Sequence, residues 1–248
     1  MKIVYIAVLL SAVFLSAAYS EGRPPEAEKV TGAGNAEECF WLEPVPADSI
    51  SRNVYDALRQ DWDAWNQKSE KEKMVCSQIP GFCAQNFSDW EECEDFLGFS
   101  IPNPLEECPW LEKRSYANIP DNVQKAPYMR ATWTGTEDGY VKHISINASY
   151  QHEELGVMLS VDLYGEGEKV IVPEDVCPVK LGKQDNLENE NSLPQIVSEA
   201  SEWSVSSNAY WAKGMCLYHL YVVGKPDAQK QTEDMLETVL NYFLENIR

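Results

Sequence analysis

The chain has 248 residues, 44% hydrophobic and 24% charged, which are the proportions of an ordinary globular protein. They exclude a disordered, fibrous or multi-span membrane protein. The 40 acidic residues outweigh the 20 basic ones, so the formal net charge is −20. Such a surface repels phosphate backbones and anionic lipid headgroups, so we expect no nucleic-acid binding and no docking on anionic membranes.

The first 20 residues have the composition of a secretory signal peptide. Lys2 precedes an uncharged, apolar run over residues 3–18, and the small residues Ala18 and Ser20 suit a cleavage site. An uncleaved membrane anchor is the alternative, because about 20 apolar residues span a bilayer. We therefore expect an exported protein, secreted or tethered at the outer face of the cytoplasmic membrane, with no membrane insertion beyond this segment.

The rest of the chain divides into a linker and a domain. Residues 21–36 combine glycine, proline and charged residues with almost no apolar ones, which is typical of a flexible linker. We expect residues 37–248 to form a single α+β domain outside the membrane. Its N-terminal part, residues 37–112, is predicted to be helical, and residues 126–248 are predicted to hold the sheet and a final helix.

The N-terminal part contains three patterns typical of an α-helix. After Asp48, a predicted N-cap, apolar side chains recur with helical spacing: Ile50, Val54, Leu58, Trp62 and Trp65. A shorter helix is predicted over residues 69–76. A third begins at Ser88, where the order Ser-Asp-Trp-Glu up to Glu91 has the form of a capping box, and it stops at Gly98.

The middle of the chain alternates apolar and polar residues, which predicts strands. Residues 128–134, 140–148 and 157–163 predict an antiparallel meander, and the turn-forming run Thr-Glu-Asp-Gly separates the first two of these strands. Residues 169–172 are a candidate for a fourth strand. These strands are expected to be buried on one face only.

The next stretch is polar and then becomes apolar again. Residues 173–202 lack periodicity for the most part and predict a long exposed loop. Within it, residues 185–190 hold three acidic side chains, but not in the order that a calcium-binding loop requires. Residues 210–213 and 215–223 predict a β-hairpin that turns at Gly214.

The C-terminal stretch has the clearest pattern. After Asp227, a predicted N-cap, apolar residues form a helical stripe: Met235, Leu236, Val239, Leu240, Phe243 and Ile247. The whole pattern predicts an α+β fold with N-terminal helices, an antiparallel meander sheet of about five strands, and a C-terminal amphipathic helix packed on the sheet.

Seven cysteines stand at irregular intervals without a Cys-x-x-Cys pair, so neither a zinc ribbon nor a redox motif is expected. Because the chain is long enough to build its own core, several of them are predicted to be buried thiols. Export would also allow disulfides. If one forms, Cys76 and Cys83 are the candidate pair, because a Pro-Gly turn lies between them.

No residue is assigned a catalytic, cofactor-binding or metal-binding role, and no cofactor is expected. Three histidines are too few for a histidine-rich metal site. His143 and His219 fall in predicted strands and His152 in a predicted turn, so we interpret all three as structural or surface imidazoles. No short catalytic motif is present, and a glycosidase carboxylate pair would leave none.

Three segments resemble uncharacterised exported proteins of anaerobic Gram-positive gut bacteria, namely residues 79–82, 87–106 and 131–139, within a likeness that covers residues 40–248. The order of a short helix, Leu-Gly-Phe, a proline-containing link, a meander, a tyrosine-rich hairpin and a final helix is also similar to an extracytoplasmic domain of unknown function in some lipoproteins and anti-sigma factors. That resemblance implies a sensor-like, partner-binding domain without catalysis. Since no sigma-binding region precedes the apolar segment, direct control of a sigma factor is not implied.

Two functions from different classes follow as hypotheses. The first is an exported, non-catalytic module that binds an unknown protein or small-molecule ligand at the envelope or outside the cell. The alternative is a secreted glycan-acting hydrolase with an Asp/Glu pair, which rests on the abundance of carboxylates and on eight tryptophans. Packing within predicted helices and strands already explains half of those tryptophans: Trp62, Trp65, Trp90 and Trp133.

Overall fold

A computed structural model describes residues 40–114, 128–174, 176–182 and 194–247. The expected signal peptide over residues 1–20, the linker over residues 21–36, Cys39 and the acidic residues 185–190 lie outside these ranges. The described residues form a mixed α+β fold with a large antiparallel sheet and a C-terminal helix, as predicted. None of their helices is both long and apolar enough to cross a membrane.

Short N-terminal helices begin at polar caps. Helix α1 (Arg52–Asn66) follows Ser51, whose hydroxyl accepts a hydrogen bond from the backbone of Asn53. The prediction of Asp48 as the cap is wrong, because Asp48 lies in a turn over residues 47–49 and the helix begins only after Ser51. Helix α2 (Glu70–Val75) begins in a complete capping box between its cap serine and a glutamate three residues later, and it covers most of the predicted residues 69–76.

Helix α3 (Trp90–Leu97) begins one residue later than predicted. Its cap is Asp89, whose carboxylate accepts from the backbone of Glu92, so the capping box predicted from Ser88 to Glu91 is wrong. Ser88 instead donates its backbone N–H and its hydroxyl to the Glu92 carboxylate. The helix ends at Gly98, as predicted, with a φ of 95° that favours glycine. A 3₁₀ turn (Pro104–Glu107) follows.

The described residues form ten strands: β1 (Phe40–Leu42), β2 (Phe82–Phe87), β3 (Glu112–Lys113), β4 (Met129–Gly135), β5 (Val141–His152), β6 (Leu155–Tyr164), β7 (Val179–Leu181), β8 (Gln195–Ala200), β9 (Val205–Lys213) and β10 (Cys216–Gly224). Eight of them make one antiparallel sheet in the order β2-β4-β5-β6-β10-β9-β8, with β3 paired to the far end of β5. The hairpin β9–β10 turns at Gly214, as predicted.

The predicted number of strands, about five, was too low. Neither edge strand of the large sheet was predicted. Strand β2 lies in the part predicted to be helical, and β8 and β7 lie in the predicted loop over residues 173–202. Edge strands are short and less buried, so they lack a clear alternating pattern. Residues 169–172 form no strand among the described elements; Val170 is buried there without strand pairing.

The helices cover one face of the sheet. Buried side chains of α1 and α3 join the sheet's apolar residues in the main core. Helix α4 (Gln229–Asn246) adds four fully or nearly buried side chains of its predicted stripe: Leu236, Val239, Leu240 and Phe243. It begins after Ala228 without a side-chain cap, so the prediction that Asp227 caps it is wrong. Packing rather than capping therefore defines this helix.

A second, smaller core lies on the opposite face. Strands β1 and β7 pair in parallel as a two-stranded sheet. Their residues Phe40 and Leu42 are buried with Tyr164, Ala212 and Leu217 of the large sheet. This small sheet covers one end of that face, and no described helix packs on the remainder.

Candidate binding face

The strand register places a row of polar side chains across the large sheet, on the face opposite to the helices. Each residue of this row is the direct cross-strand partner of the next: Asn86, Arg130, Asn147, Ser160, His219, Tyr210 and Gln195. We call these seven residues the polar row. Since neighbouring strands lie about 4.8 Å apart, the row is roughly 29 Å wide.

Aromatic rings stack along the part of the row formed by β9 and β10. The rings of Tyr210 and His219 lie 4.1 Å apart between centroids, with 12° between their planes. Tyr221 stacks next to His219, with 5.0 Å between the centroids. The imidazole is therefore held between two phenol rings of its own sheet.

Hydrogen bonds determine which nitrogen of His219 carries the proton. Its Nε2 lies 3.0 Å from Oδ1 of Asn208. The Asn208 amide nitrogen already donates to the Ser206 hydroxyl and to the Val197 carbonyl. Because Oδ1 of Asn208 can only accept, we assign the proton to Nε2, which leaves Nδ1 of His219 as an acceptor. Burial lowers the pKa of His219 to about 4, so the ring is neutral at pH 7.

A second imidazole on the same face is paired with a carboxylate. Nε2 of His143 lies 3.0 Å from Oδ1 of Asp162, and its ring packs against Tyr164 with 4.6 Å between centroids. The charge of Asp162 also favours protonation of His219, although the effect of burial on that pKa is larger. This face thus presents side chains that are fixed by their neighbours on the sheet.

Arg130 is the one arginine of the polar row, and it stands on β4. Its side chain is half-buried, yet it makes no hydrogen bond or salt bridge with any residue in the described ranges. The strand order puts it three strands away from His219, which corresponds to about 14 Å. The row therefore has a cationic part and an aromatic part at a defined separation.

The predictions for the three histidines are confirmed in part. His143 and His219 lie in strands, as predicted, and the register brings both onto one face. His152 is the last residue of β5 and not part of the turn, because the hairpin turns one residue later at Glu153, which has a φ of 51°. Nδ1 of His152 lies 3.0 Å from the carbonyl oxygen of Trp110, so its role is structural.

Sequence reasoning missed the polar row as a unit. Its members stand on strands between residues 82 and 224, and only the pairing register aligns them. The alternation of β5 and β6 did indicate which side chains leave the core. It could not indicate which of them become neighbours, because pairing partners are set by tertiary contacts.

Another polar cluster surrounds Glu106 of the 3₁₀ turn and is partly buried. The Glu106 carboxylate accepts hydrogen bonds from the hydroxyls of Tyr128 and Tyr150 and from the ammonium of Lys113, at 2.7 Å for the last of these. Asn103 donates to the Tyr150 hydroxyl at 2.9 Å. Burial, followed by the Glu106 charge, raises the pKa of Tyr150. Since each group is satisfied within the cluster, we interpret it as structural.

A groove of about 550 Å³ lies near the β5–β6 turn and the start of α4. It is lined by the four carboxylates of Glu153, Glu154, Asp227 and Asp234, and Glu154 is paired with a lysine. No tryptophan, tyrosine or phenylalanine lines it. It therefore lacks the aromatic surface on which a sugar ring would stack.

The six cysteines in the described ranges are free thiols, and three of them are buried: Cys93, Cys108 and Cys216. This confirms the prediction of buried thiols, whereas the candidate pair Cys76 and Cys83 is not joined. Cys83 lies within β2, where burial raises the pKa of its thiol to about 11. Within the described ranges, no cluster of three or more His, Cys, Asp or Glu side chains is placed to hold a metal ion.

No protein-family model matches this chain, and neither a curated protein nor a solved structure matches it significantly. The resemblances noted in the sequence therefore stay predictions.

Proposed function

We propose that this protein is an exported, non-catalytic module that binds an elongated polar ligand, or an extended segment of a partner protein, along the polar row. The row itself supports the proposal. Its seven side chains can all form hydrogen bonds, and they stand side by side over roughly 29 Å of one sheet face.

The two parts of the row suggest what the ligand carries. Arg130 offers a guanidinium that has no partner among the described residues, in a chain whose net charge is −20. An anionic group of a ligand would pair with it. His219 offers a neutral acceptor, held between Tyr210 and Tyr221, to a hydrogen-bond donor of the same ligand.

The proposal assigns no catalytic role to this face. In the described ranges, neither His143 nor His219 bonds to a serine, threonine or cysteine that could act as a nucleophile; their Nε2 atoms are bonded to Asp162 and Asn208. The groove with four carboxylates lacks aromatic residues. Nothing in the described part of the chain therefore favours the glycan hydrolase over a binding module.

Photocrosslinking tests the proposed site. A photoreactive amino acid is placed at Asn147, in the middle of the polar row, and as a control at Glu237, which is exposed on α4. In cells of the source organism, we expect an adduct from position 147 and none from position 237. The adduct should disappear when Arg130→Gln is added, because the guanidinium is the proposed anchor for an anionic group.

Equal adducts from both positions, or none from position 147, would contradict the proposed site. Cell fractionation tests export separately. We expect the chain outside the cytoplasmic membrane, so its retention in the cytoplasm would overturn that part of the proposal.

A further inference from the structure

Strand β2 exposes an unpaired backbone edge. It is the terminal strand of the large sheet and pairs only with β4. The Gly135 N–H donates to the Gly81 carbonyl at 2.9 Å, so these two glycines form a hydrogen-bonded pair. Bonded and non-bonded pairs alternate between antiparallel strands. The backbone N–H and C=O groups of Phe82, Ala84 and Asn86 therefore point away from the sheet, and no hydrogen bond within the described ranges uses them.

This edge lacks the features that usually prevent strands from pairing with other chains. No charged residue occurs between Met74 and Ser88, although 24% of the chain is charged. Strand β2 has no proline, and its register with β4 is continuous. The opposite edge strand, β8, carries Glu199 and is followed by Glu202.

Apolar side chains are exposed beside the same edge. Four of the eight large hydrophobic residues that are exposed in the described ranges fall between positions 74 and 82: Met74 at 86%, Val75 at 80%, Ile79 at 72% and Phe82 at 41%. A cluster of exposed apolar side chains is typical of an interaction surface. Here it borders free backbone donors and acceptors, which is the combination that strand addition requires.

We propose that β2 pairs with β2 of a second copy of this chain, in antiparallel orientation, about a two-fold axis that passes between the two Ala84 residues. In this register Ala84 faces Ala84 and Phe82 faces Asn86, so the outward backbone groups of each strand meet those of the other. The small alanine allows close approach at the axis. No like charges face each other, because the strand has none.

For two copies of this chain, the charge favours contact at β2 over contact elsewhere on the surface. Two bodies that each carry a net charge of −20 repel each other wherever acidic surfaces meet. The uncharged stretch between Met74 and Ser88 is where that repulsion is weakest. Pairing at β2 would also join the polar faces of the two copies into one surface, because Phe82, Ala84 and Asn86 lie on that face.

Sedimentation velocity on the purified full chain tests the proposal. We expect a reversible dimer whose fraction rises with concentration. Ala84→Lys should weaken the dimer at least tenfold, because it places two ammonium groups at the axis. The matched control is Ala200→Lys, which makes the same change on the opposite edge strand and should leave the dimer unchanged. Circular dichroism verifies that both variants are folded.

Hydrogen exchange measured by NMR locates the interface. The amides of Phe82, Ala84 and Asn86 should exchange slowly in the dimer and rapidly in the Ala84→Lys variant. The amides of Cys83 and Gln85, which are bonded to β4, should stay protected in both. A chain that is monomeric at every concentration would overturn the proposal, and so would a dimer that Ala84→Lys does not weaken or that leaves the three outward amides unprotected.

Discussion

The two faces of the large sheet are built from neighbouring residues of the same strands, yet their chemistry is opposite. Each residue of the polar row has a sequence neighbour that faces the other side of the sheet. These neighbours form a second row across the same seven strands: Phe87, Met129, Ala148, Leu159, Leu220, Ala209 and Ile196. All seven of its residues are apolar. Six of them lie in the core that the helices complete, and Ile196 on the edge strand β8 is 47% exposed. No described helix contributes to the buried cluster on the polar face. The apolar face therefore stabilises the fold, and the polar face is the one that we propose as a binding surface.

The largest expected effect comes from a pair of adjacent residues on β6. Leu159 is 1% exposed in the apolar row, so Leu159→Ala should reduce the free energy of unfolding by about 2–5 kcal/mol. Its neighbour Met158 is half-buried on the polar face, and Met158→Ala should cost about 1 kcal/mol or less. Urea denaturation measures both. Similar losses at the two positions would refute the division between the faces.

A smaller effect is expected from His219 on the polar face, which should make the free energy of unfolding depend on pH. Its pKa is lowered from 6.5 to about 4 by burial. Below pH 6.5 the unfolded chain takes up a proton that the folded chain does not bind until about pH 4. Stability should therefore decrease between these values, by on the order of 3 kcal/mol in total, and this group should add no further loss below them.

The variant His219→Gln isolates this contribution. Other groups also titrate in the same range, so the informative quantity is the difference in unfolding free energy between the wild type and the variant. That difference should change between pH 7 and pH 4. A difference that is constant with pH would show that burial does not affect the protonation of His219 as described.

Substitutions in the partly buried Glu106 cluster should reduce stability by an intermediate to small amount. Tyr150→Phe removes a hydroxyl that bonds to both Glu106 and Asn103, and it should cost about 1–2 kcal/mol. Because Glu106→Gln weakens the same bonds, the double variant should lose less stability than the two single losses added together. Urea denaturation of the four proteins checks this. Additive losses would mean that the two side chains are not coupled.

The smallest effect is expected within the polar row. Asn147→Ala removes one hydrogen bond to Ser145 at a half-buried site, and the unfolding free energy should change by no more than about 0.5 kcal/mol. Thermal unfolding measures it. A loss above that range would indicate that the row stabilises the fold, which would weaken its interpretation as a binding surface.

Local patterns predicted the elements with strong periodicity. The stripe of α4 and the alternation of β5 and β6 needed no tertiary information, because the buried face repeats with the period of the element. Helix starts were less accurate. Ser51 caps α1 and Asp89 caps α3, although Asp48 and Ser88 were equally suitable by residue type. The choice depends on where the chain enters the packed structure, for example on the bond from the Ser51 backbone N–H to the Leu97 carbonyl.

The edge strands and the polar row could not be predicted from the sequence, for a related reason. Strand β2, with the residues Phe-Cys-Ala-Gln-Asn-Phe, buries only Phe87, so it has little of the pattern of a strand. The polar row depends on the order in which seven strands pair, and β6 pairs with β10 although more than 50 residues separate them in the chain. Only that strand order places Arg130 and His219 in the same row.

Composition and periodicity were thus sufficient for an acidic α+β protein with a sheet, a terminal helix and several buried thiols, since these follow from which side chains avoid water. Packing and register decided the number of strands, the helix caps, the free edge at β2 and the alignment of the polar row. The physical reason is that a side chain's burial is encoded locally, whereas its neighbours across a sheet depend on contacts between distant parts of the chain.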